Sequence, residues 1–145
     1  LLVTFIITIN NMRGILFKGL TLEGNEWIES HNLLRDKFHI FFGAVPYYNL
    51  EDELCLDHYK EIIPETLFQY TGVDTKKSVK VFEGDIFKIK GKNYVVEYLD
   101  DRCCFVLTTR NGYDTRNCLD LTCDAIYYEE IIGNIYEDKE LVKII

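Results

Sequence analysis

Two carboxylates lie two residues apart near the middle of the sequence, where acid and base chemistry would be sought first. Glu83 and Asp85 flank Gly84 between two apolar half-strands. On a regular strand the two side chains would share one face and repel each other unless lysines or backbone amides compensated. The pattern favours a structural corner over a proton-transferring pair: Gly84 permits unusual dihedral angles, and Asp85 can accept hydrogen bonds from nearby amides.

The remaining reactive side chains lack the spacing of familiar catalytic or metal sites. His31, His39 and His58 do not show the i, i+4 spacing of a helical metal pair, which favours surface or core roles. The sequence contains no glycine-rich phosphate loop, serine-centred elbow or dinucleotide fingerprint. We therefore expect a protein that is not an enzyme and that uses no cofactor and no metal.

The cysteines indicate a reducing compartment. There are five, so every disulfide pairing leaves one unmatched, and none of the close ligand pairs of common zinc modules occurs. We expect reduced thiols in a cytoplasm. The cysteines are Cys55, Cys103, Cys104, Cys118 and Cys123.

One basic segment, residues 76–92, contrasts with an acidic chain. The formal net charge of −8 disfavours a general affinity for nucleic acid. Within the segment six lysines are balanced by only two acids. A solvated strand face whose lysines block sheet-to-sheet association is the favoured interpretation, and contact with nucleic acid or an acidic protein stays open. The lysines are Lys76, Lys77, Lys80, Lys88, Lys90 and Lys92.

The composition predicts a mainly β protein with a substantial core. Of the 145 residues 48% are apolar and 14% aromatic, and aromatic side chains pack well on pleated sheets. The apolar run at residues 1–9 is shorter than the ~20 residues that a membrane-spanning helix needs, so we expect no membrane contact. Residues 1–11 are interpreted either as upstream translation before Met12 or as an added strand.

The N-terminal part, residues 12–72, shows β patterning with one ambiguous segment. Residues 14–22 predict a strand, residues 23–26 a turn, and Trp27 the start of a return strand. Residues 37–48 predict a strand with a break at 43–46. Residues 54–62 have helical spacing that ends before Pro64, although a strand over 58–63 is the competing interpretation.

A polar connector at 73–78 is interpreted as the boundary to a C-terminal part, residues 79–145. Apolar runs at 79–82, 86–89, 94–99 and 103–109 are separated by tight turns, which predicts a small antiparallel barrel or sandwich. Residues 125–132 predict a later strand. Residues 135–141 predict a terminal turn or short helix.

Three blocks of the sequence resemble the YopX-like family, which is found mainly in phages and prophages of Gram-positive bacteria. The first covers residues 12–19 with Gly24 and Trp27, and its Lys18 stands where the family usually has Arg. The second covers 63–66, 69–72 and 82–86, and the third covers 131–137 with 140–141. The resemblance implies a C-terminal SH3-like β-barrel.

The matching blocks contain the candidate structural or interaction residues. Gly133 and Asn134 suit a position with positive φ that ends a strand. The full set is Lys18, Gly19, Trp27, Gln69, Tyr70, Gly72, Glu83, Gly84, Asp85, Gly133 and Asn134.

The leading functional interpretation is a non-enzymatic, phage-encoded accessory protein in the host bacterial cytoplasm. It would act through contacts with itself, phage or host proteins, using strand edges and aromatic patches such as residues 47–48 and 127–128. A nucleic-acid-binding barrel is the alternative, with residues 76–92 supplying charge and Tyr94 or Phe87 stacking on bases. A DNA-mimicking inhibitor is a third interpretation, based on net charge alone.

Overall fold

The computed structural model describes residues 15–43, 45–57, 59–109 and 118–142, which are mainly β. Among these residues, the helical elements are the short helix α1 (Cys123–Ile126) and 3₁₀ turns at Pro64–Thr66 and Lys139–Val142. In chain order the strands are β1 (Phe17–Leu20), β2 (Trp27–Ser30), β3 (Leu33–Arg35), β4 (Ile40–Phe42), β5 (Val45–Tyr48), β6 (Leu54–Asp57), β7 (Lys60–Ile62), β8 (Phe68–Asp74), β9 (Lys80–Phe82), β10 (Asp85–Ile89), β11 (Lys92–Leu99), β12 (Cys104–Thr108), β13 (Leu119–Asp120) and β14 (Ile131–Asn134).

These strands form four antiparallel sheets. The central sheet has the order β2-β1-β8-β9, and the large sheet has the order β13-β12-β11-β10-β14. The lateral sheet has the order β3-β4-β7, and β5 and β6 form a separate two-stranded hairpin, the arm. The predicted mainly β fold is therefore confirmed. The SH3-like barrel stays a prediction. Within the described residues β13 and β14 are the two edge strands of the large sheet and do not pair with each other.

Most of the predicted hairpins are present. The turn at 23–26 joins β1 to β2, and Lys18 lies opposite Glu29 in their register. The predicted break in the 37–48 segment lies at Gly43, where φ is +69° between β4 and β5. The predicted terminal turn is the 3₁₀ turn Lys139–Val142. Predictions for residues 1–14 and for His58 lie outside the described residues.

Two predicted elements are wrong. The helix predicted over 54–62 is replaced by β6 and β7, because Ile62 pairs with Ile40 in the lateral sheet and is buried in the core beside Ile40 and Phe42. The competing strand interpretation is confirmed over Lys60–Ile62. The strand predicted over 125–132 begins only at Ile131, because the Thr122 side chain accepts from the Ala125 amide and caps α1.

The polar connector at 73–78 contributes to the turn between β8 and β9, which lie side by side in the central sheet. Thr75 donates its amide to the Val79 carbonyl at 2.9 Å, and Ser78 has φ of +59°. The division into two parts at this connector stays a prediction.

The lateral sheet is attached to the central sheet along β1. The Ile63 amide donates to the Leu20 carbonyl at 2.9 Å, and the Leu20 amide donates to the buried Thr66 hydroxyl at 2.9 Å. Ile62 packs directly on Gly19, so that a Cβ atom there would overlap Ile62 Cγ2. Gly19 is therefore required by this close approach.

Gly19→Ala should lower the free energy of unfolding by about 1–3 kcal/mol, the usual range for overpacking a core. The measurement is urea denaturation. In an Ile62→Leu background, which removes the Cγ2 branch, the same substitution should cost clearly less. Equal costs in both backgrounds would contradict the packing argument.

Candidate functional site

Residues 82–85 form a corner that joins the central sheet to the large sheet. Gly84 has φ of +83°; its amide donates to the Val96 carbonyl at 2.8 Å, and its carbonyl accepts from the Ile135 amide at 2.9 Å. A Cβ atom on Gly84 would lie 3.0 Å from the Phe68 ring. Both the backbone conformation and the space therefore call for glycine, as expected from the sequence.

The corner is closed by an ion pair between Lys18 and Asp85. Asp85 is only 2% exposed; its Oδ1 accepts from Lys18 Nζ at 2.9 Å and its Oδ2 accepts from the Phe82 amide at 2.8 Å. Burial raises the pKa of Asp85, and the charge of Lys18 opposes that rise. A buried carboxylate is stable only when it is paired and hydrogen-bonded. The Phe82 amide fixes Asp85 within the corner, and Lys18 joins the corner to β1.

Lys18 is enclosed by aromatic rings as well as by its carboxylate partner. Its Nζ lies 4.8 Å from the ring centroid of Phe82, 5.4 Å from that of Trp27 and 5.8 Å from that of Phe68. Trp27 and Phe68 stack at 5.8 Å. Aromatic faces attract cations, so this cage stabilises the ammonium group where little water reaches it.

A groove of about 520 Å³ opens over the ion pair, between β9 and β14. Acidic side chains line it beside Lys18 and Lys80. The lining residues are Lys18, Glu29, Lys80, Phe82, Asp85, Ile131, Ile132, Gly133, Asn134, Glu137 and Asp138.

Gly133 and Asn134 lie in β14, so the positive φ predicted for this position is wrong. Gly133 is needed for space, because a Cβ atom would overlap the carboxylate of Asp138. Asn134 ends the strand through its side chain, whose Oδ1 accepts from the amides of Tyr136 and Glu137 at 3.0 Å each.

The third motif block is bound to the first through Trp27. The indole Nε1 donates to Glu137 Oε1 at 3.0 Å, and Glu137 Oε2 accepts from Asn134 Nδ2 at 2.8 Å. Tyr136 meets Trp27 edge to face at 6.5 Å. The first and third family blocks therefore contact each other around Trp27.

The second block supplies β8, which lies under the corner. The Gln69 carbonyl accepts from the Glu83 amide at 2.8 Å, and the Tyr70 amide donates to the Leu16 carbonyl at 2.8 Å. Gly72 has φ of +86° within the irregular part of the β8–β9 pairing. Gly72 and Gly19 thus serve other parts of the central sheet, whereas the remaining candidate residues surround the corner.

Glu83 and Asp85 do not form a pair, because their carboxylates meet different neighbours. Burial raises the pKa of Glu83, and so do the nearby charges of Glu97 and Asp100, whereas the backbone amides of Tyr98 and Gln69 lower it by hydrogen bonding. The two acids would share a face only on a regular strand, and the positive φ at Gly84 turns the chain between them instead.

The basic segment is divided by its neighbours. Three of its lysines contact aromatic or acidic side chains: Lys76 over Tyr128, Lys77 with Glu130, and Lys80 at 4.0 Å from Glu29. The other three lie exposed on the β10–β11 hairpin: Lys88, Lys90 and Lys92.

The lateral sheet presents an aromatic face that the sequence analysis missed. Phe38, His39, Phe41 and Tyr59 follow one another with ring centroids 6.4, 6.0 and 5.1 Å apart. Phe38 is 71% exposed, and Leu34 lies opposite Phe41 in the strand register. The alternation of residues 39 and 41 outward with 40 and 42 inward was the signal available in the sequence.

The arm ends in a tight, exposed turn. Asn49 Oδ1 accepts from the amides of Glu51 and Glu53 at 2.9 Å each, and Asp52 has φ of +58°. Leu50 at this turn is fully exposed, with 106% of its reference surface accessible. An apolar side chain is thus presented beside consecutive carboxylates.

Together these features define a class of protein: a small antiparallel β protein whose separated motifs converge on a glycine corner. Residues 16–143 match the profile of the family described as "YopX protein", and the chain belongs to that family. The crystal structure of protein EF1440 from Enterococcus faecalis is similar, with a TM-score of 0.53 and 19% identity, over 89% of this chain and 98% of that one. This likeness shows the fold.

No curated protein matches the sequence. Among the described residues, no helix is long and apolar enough to cross a membrane.

Lys18→Met should lower the free energy of unfolding by about 3–5 kcal/mol, because it leaves a buried carboxylate without its partner. Adding Asp85→Asn should recover part of that loss. The matched control is Lys88→Met at an exposed position of β10, expected within about 0.5 kcal/mol of wild type. Urea denaturation measures all four proteins, and equal effects of the two lysine substitutions would refute the role of the ion pair.

The free energy of unfolding of Glu83→Gln, relative to wild type, should increase as the pH rises. A carboxyl group whose pKa is raised in the folded state stabilises the protein at low pH. Wild type loses this contribution as the pH rises above the ordinary pKa of 4.5. The unfolding free energy of the variant relative to wild type should therefore be higher at pH 7 than at pH 4. Glu65→Gln, at an exposed position, is the control, and a pH-independent difference for Glu83→Gln would refute the prediction.

Proposed function

We propose that this chain is a phage-encoded accessory protein that works in the host bacterial cytoplasm through protein contacts and not as an enzyme. The observation that carries the proposal is the aromatic face of the lateral sheet, defined by Leu34, Phe38, His39, Phe41 and Tyr59. Contiguous apolar surface on a small protein marks an interaction site more often than chance exposure. Aromatic residues are also the side chains most enriched in protein interfaces.

The inner side of the same sheet supports this interpretation. Ile40, Phe42 and Ile62 are buried in the core together, so the sheet is anchored without its outer face. The aromatic rings outside are therefore not needed to hold the sheet in place. Their burial against a partner would remove apolar surface from water.

The arm adds strand edges that suit a protein partner. Within the described residues, β5 and β6 pair with each other and with no further strand. A two-stranded hairpin is marginal in water without additional packing. Strand addition by a partner would complete its backbone hydrogen bonds.

The contacts of the central acids support a non-enzymatic role. Asp85 is occupied by Lys18 and the Phe82 amide. The Asp85 carboxylate is thereby committed to holding strands together. Burial raises the pKa of Glu83, while the backbone amides of Tyr98 and Gln69 lower it. A general acid or base needs a carboxyl group that can reach a substrate.

A nucleic-acid-binding role is the second candidate, supported by the exposed lysines of the β10–β11 hairpin. Lys88, Lys90 and Lys92 are exposed on this hairpin. Tyr94 lies opposite the buried Phe87 and packs against the core, so base stacking on these two rings is not supported. Such a role requires binding that weakens steeply with salt.

Affinity capture from phage-carrying host cells tests these two functions against each other. We expect wild type and a Lys88→Glu/Lys90→Glu variant to retain a defined protein partner, and a second copy of the chain counts as such a partner. Phe38→Asp/Tyr59→Asp should lose it. Retention of nucleic acid that is lost with the lysine reversals, without any protein that depends on the aromatic face, would favour the alternative.

A further inference from the structure

We propose that the partner of the aromatic face is a second copy of this chain, paired about a two-fold axis with the acidic arm tip of each copy on the basic β3–β4 turn of the other. The inference rests on the proposed protein-interaction function and names its partner. Three features of the described residues carry it: the acidic tip, the basic turn and the aromatic face of the lateral sheet.

The arm tip carries three consecutive carboxylates beside an apolar side chain. Glu51, Asp52 and Glu53 are exposed, and Leu50 next to them is fully exposed. The Asn49 side chain bonds to two amides within the turn and gives the tip a defined shape. A shaped tip loses less conformational freedom when it docks.

The β3–β4 turn offers the opposite charge. Arg35 and Lys37 are exposed there, and Lys37 Nζ lies 5.3 Å from the Phe38 ring centroid. The acid between them, Asp36, is already bonded: its Oδ1 accepts from the amides of Phe38 and His39 at 2.7 Å each. Asp36 is also exposed, but the two cations outnumber it, so the turn keeps a positive balance.

The tip and the turn belong to opposite ends of one stretch of chain. Strand β4 starts at the β3–β4 turn and ends at Phe42, three residues before the arm begins at Val45. The proposed pairing sets two copies face to face, with each acidic tip on the basic turn of the other copy. A two-fold axis makes this contact twice and buries both aromatic faces between the two contacts.

Charge explains why the pairing is directional. Two chains of formal charge −8 repel each other overall, so association needs local attraction at the interface. Tip against tip would place carboxylates together, whereas tip against turn joins opposite charges. A surface that carries both complementary charges and an apolar patch is complementary to itself, which is the requirement for a symmetric dimer.

Sedimentation velocity of charge-reversal variants tests the arrangement. Wild type should be a dimer whose dissociation constant rises with salt. Glu51→Lys/Asp52→Lys and Arg35→Glu/Lys37→Glu should each weaken the dimer by about tenfold or more, because like charges then meet twice. A mixture of these two variants should form a heterodimer, since each tip then faces a turn of opposite charge. Glu65→Lys, an exposed reversal outside the face, should leave the dimer unchanged.

Zero-length carbodiimide cross-linking of wild type gives a readout that does not depend on folding of the variants. In a mixture of ¹⁴N- and ¹⁵N-labelled protein, we expect mixed-isotope cross-links between Lys37 and the carboxylates of Glu51 or Asp52. Such cross-links support the docking geometry. Their absence from a cross-linked dimer would overturn it.

The outcomes separate this inference from the proposed function. A dimer that is lost in Phe38→Asp/Tyr59→Asp but is not restored by mixing the charge variants overturns the docking geometry and leaves the proposed function supported. A wild-type monomer at every concentration overturns self-pairing, and the capture experiment then decides the proposed function. A dimer whose dissociation constant is unchanged in both the aromatic and the charge variants overturns the proposal that the aromatic face is the dimer interface.

Discussion

The ion pair between Lys18 and Asp85 is the interaction on which the arrangement of the central and large sheets depends. A carboxylate with 2% exposure is costly to bury, and it is tolerated here because an ammonium group and a backbone amide both satisfy it. Asp85 belongs to the start of β10 and Lys18 to β1, so the pair joins the two sheets. The aromatic rings around Lys18 then have a fixed charge to pack against.

The motif blocks of the YopX family therefore have a structural explanation in this chain. Lys18 and Trp27 come from the first block, Gly84 and Asp85 from the second, and Asn134 from the third, and all of them surround the corner. The corner needs glycine for its dihedral angle and an acid for its charge. With these residues engaged in holding the fold, the lateral sheet and arm are the surfaces that we propose for function.

Predictions from the sequence succeeded where local chemistry was decisive. The turn at 23–26, the break at Gly43 and the corner at Gly84 each depend on residues that favour one backbone conformation. Errors occurred where a distant partner decided. Residues 54–62 have helical spacing, yet Ile62 is held in a strand by Ile40; and Gly133 looked like a turn glycine, yet it is needed because Asp138 fills the space beside it.

The sequence by itself determined the class of the fold, the places where the chain turns and the family, because periodicity, glycine positions and motif order are local or ordered along the chain. Only the tertiary structure decided which charges meet. Lys18 and Asp85 are 67 residues apart, and no pattern in the sequence links them. The aromatic face likewise became a surface only when the pairing of β4 with β7 placed Tyr59, which directly precedes β7, beside Phe41.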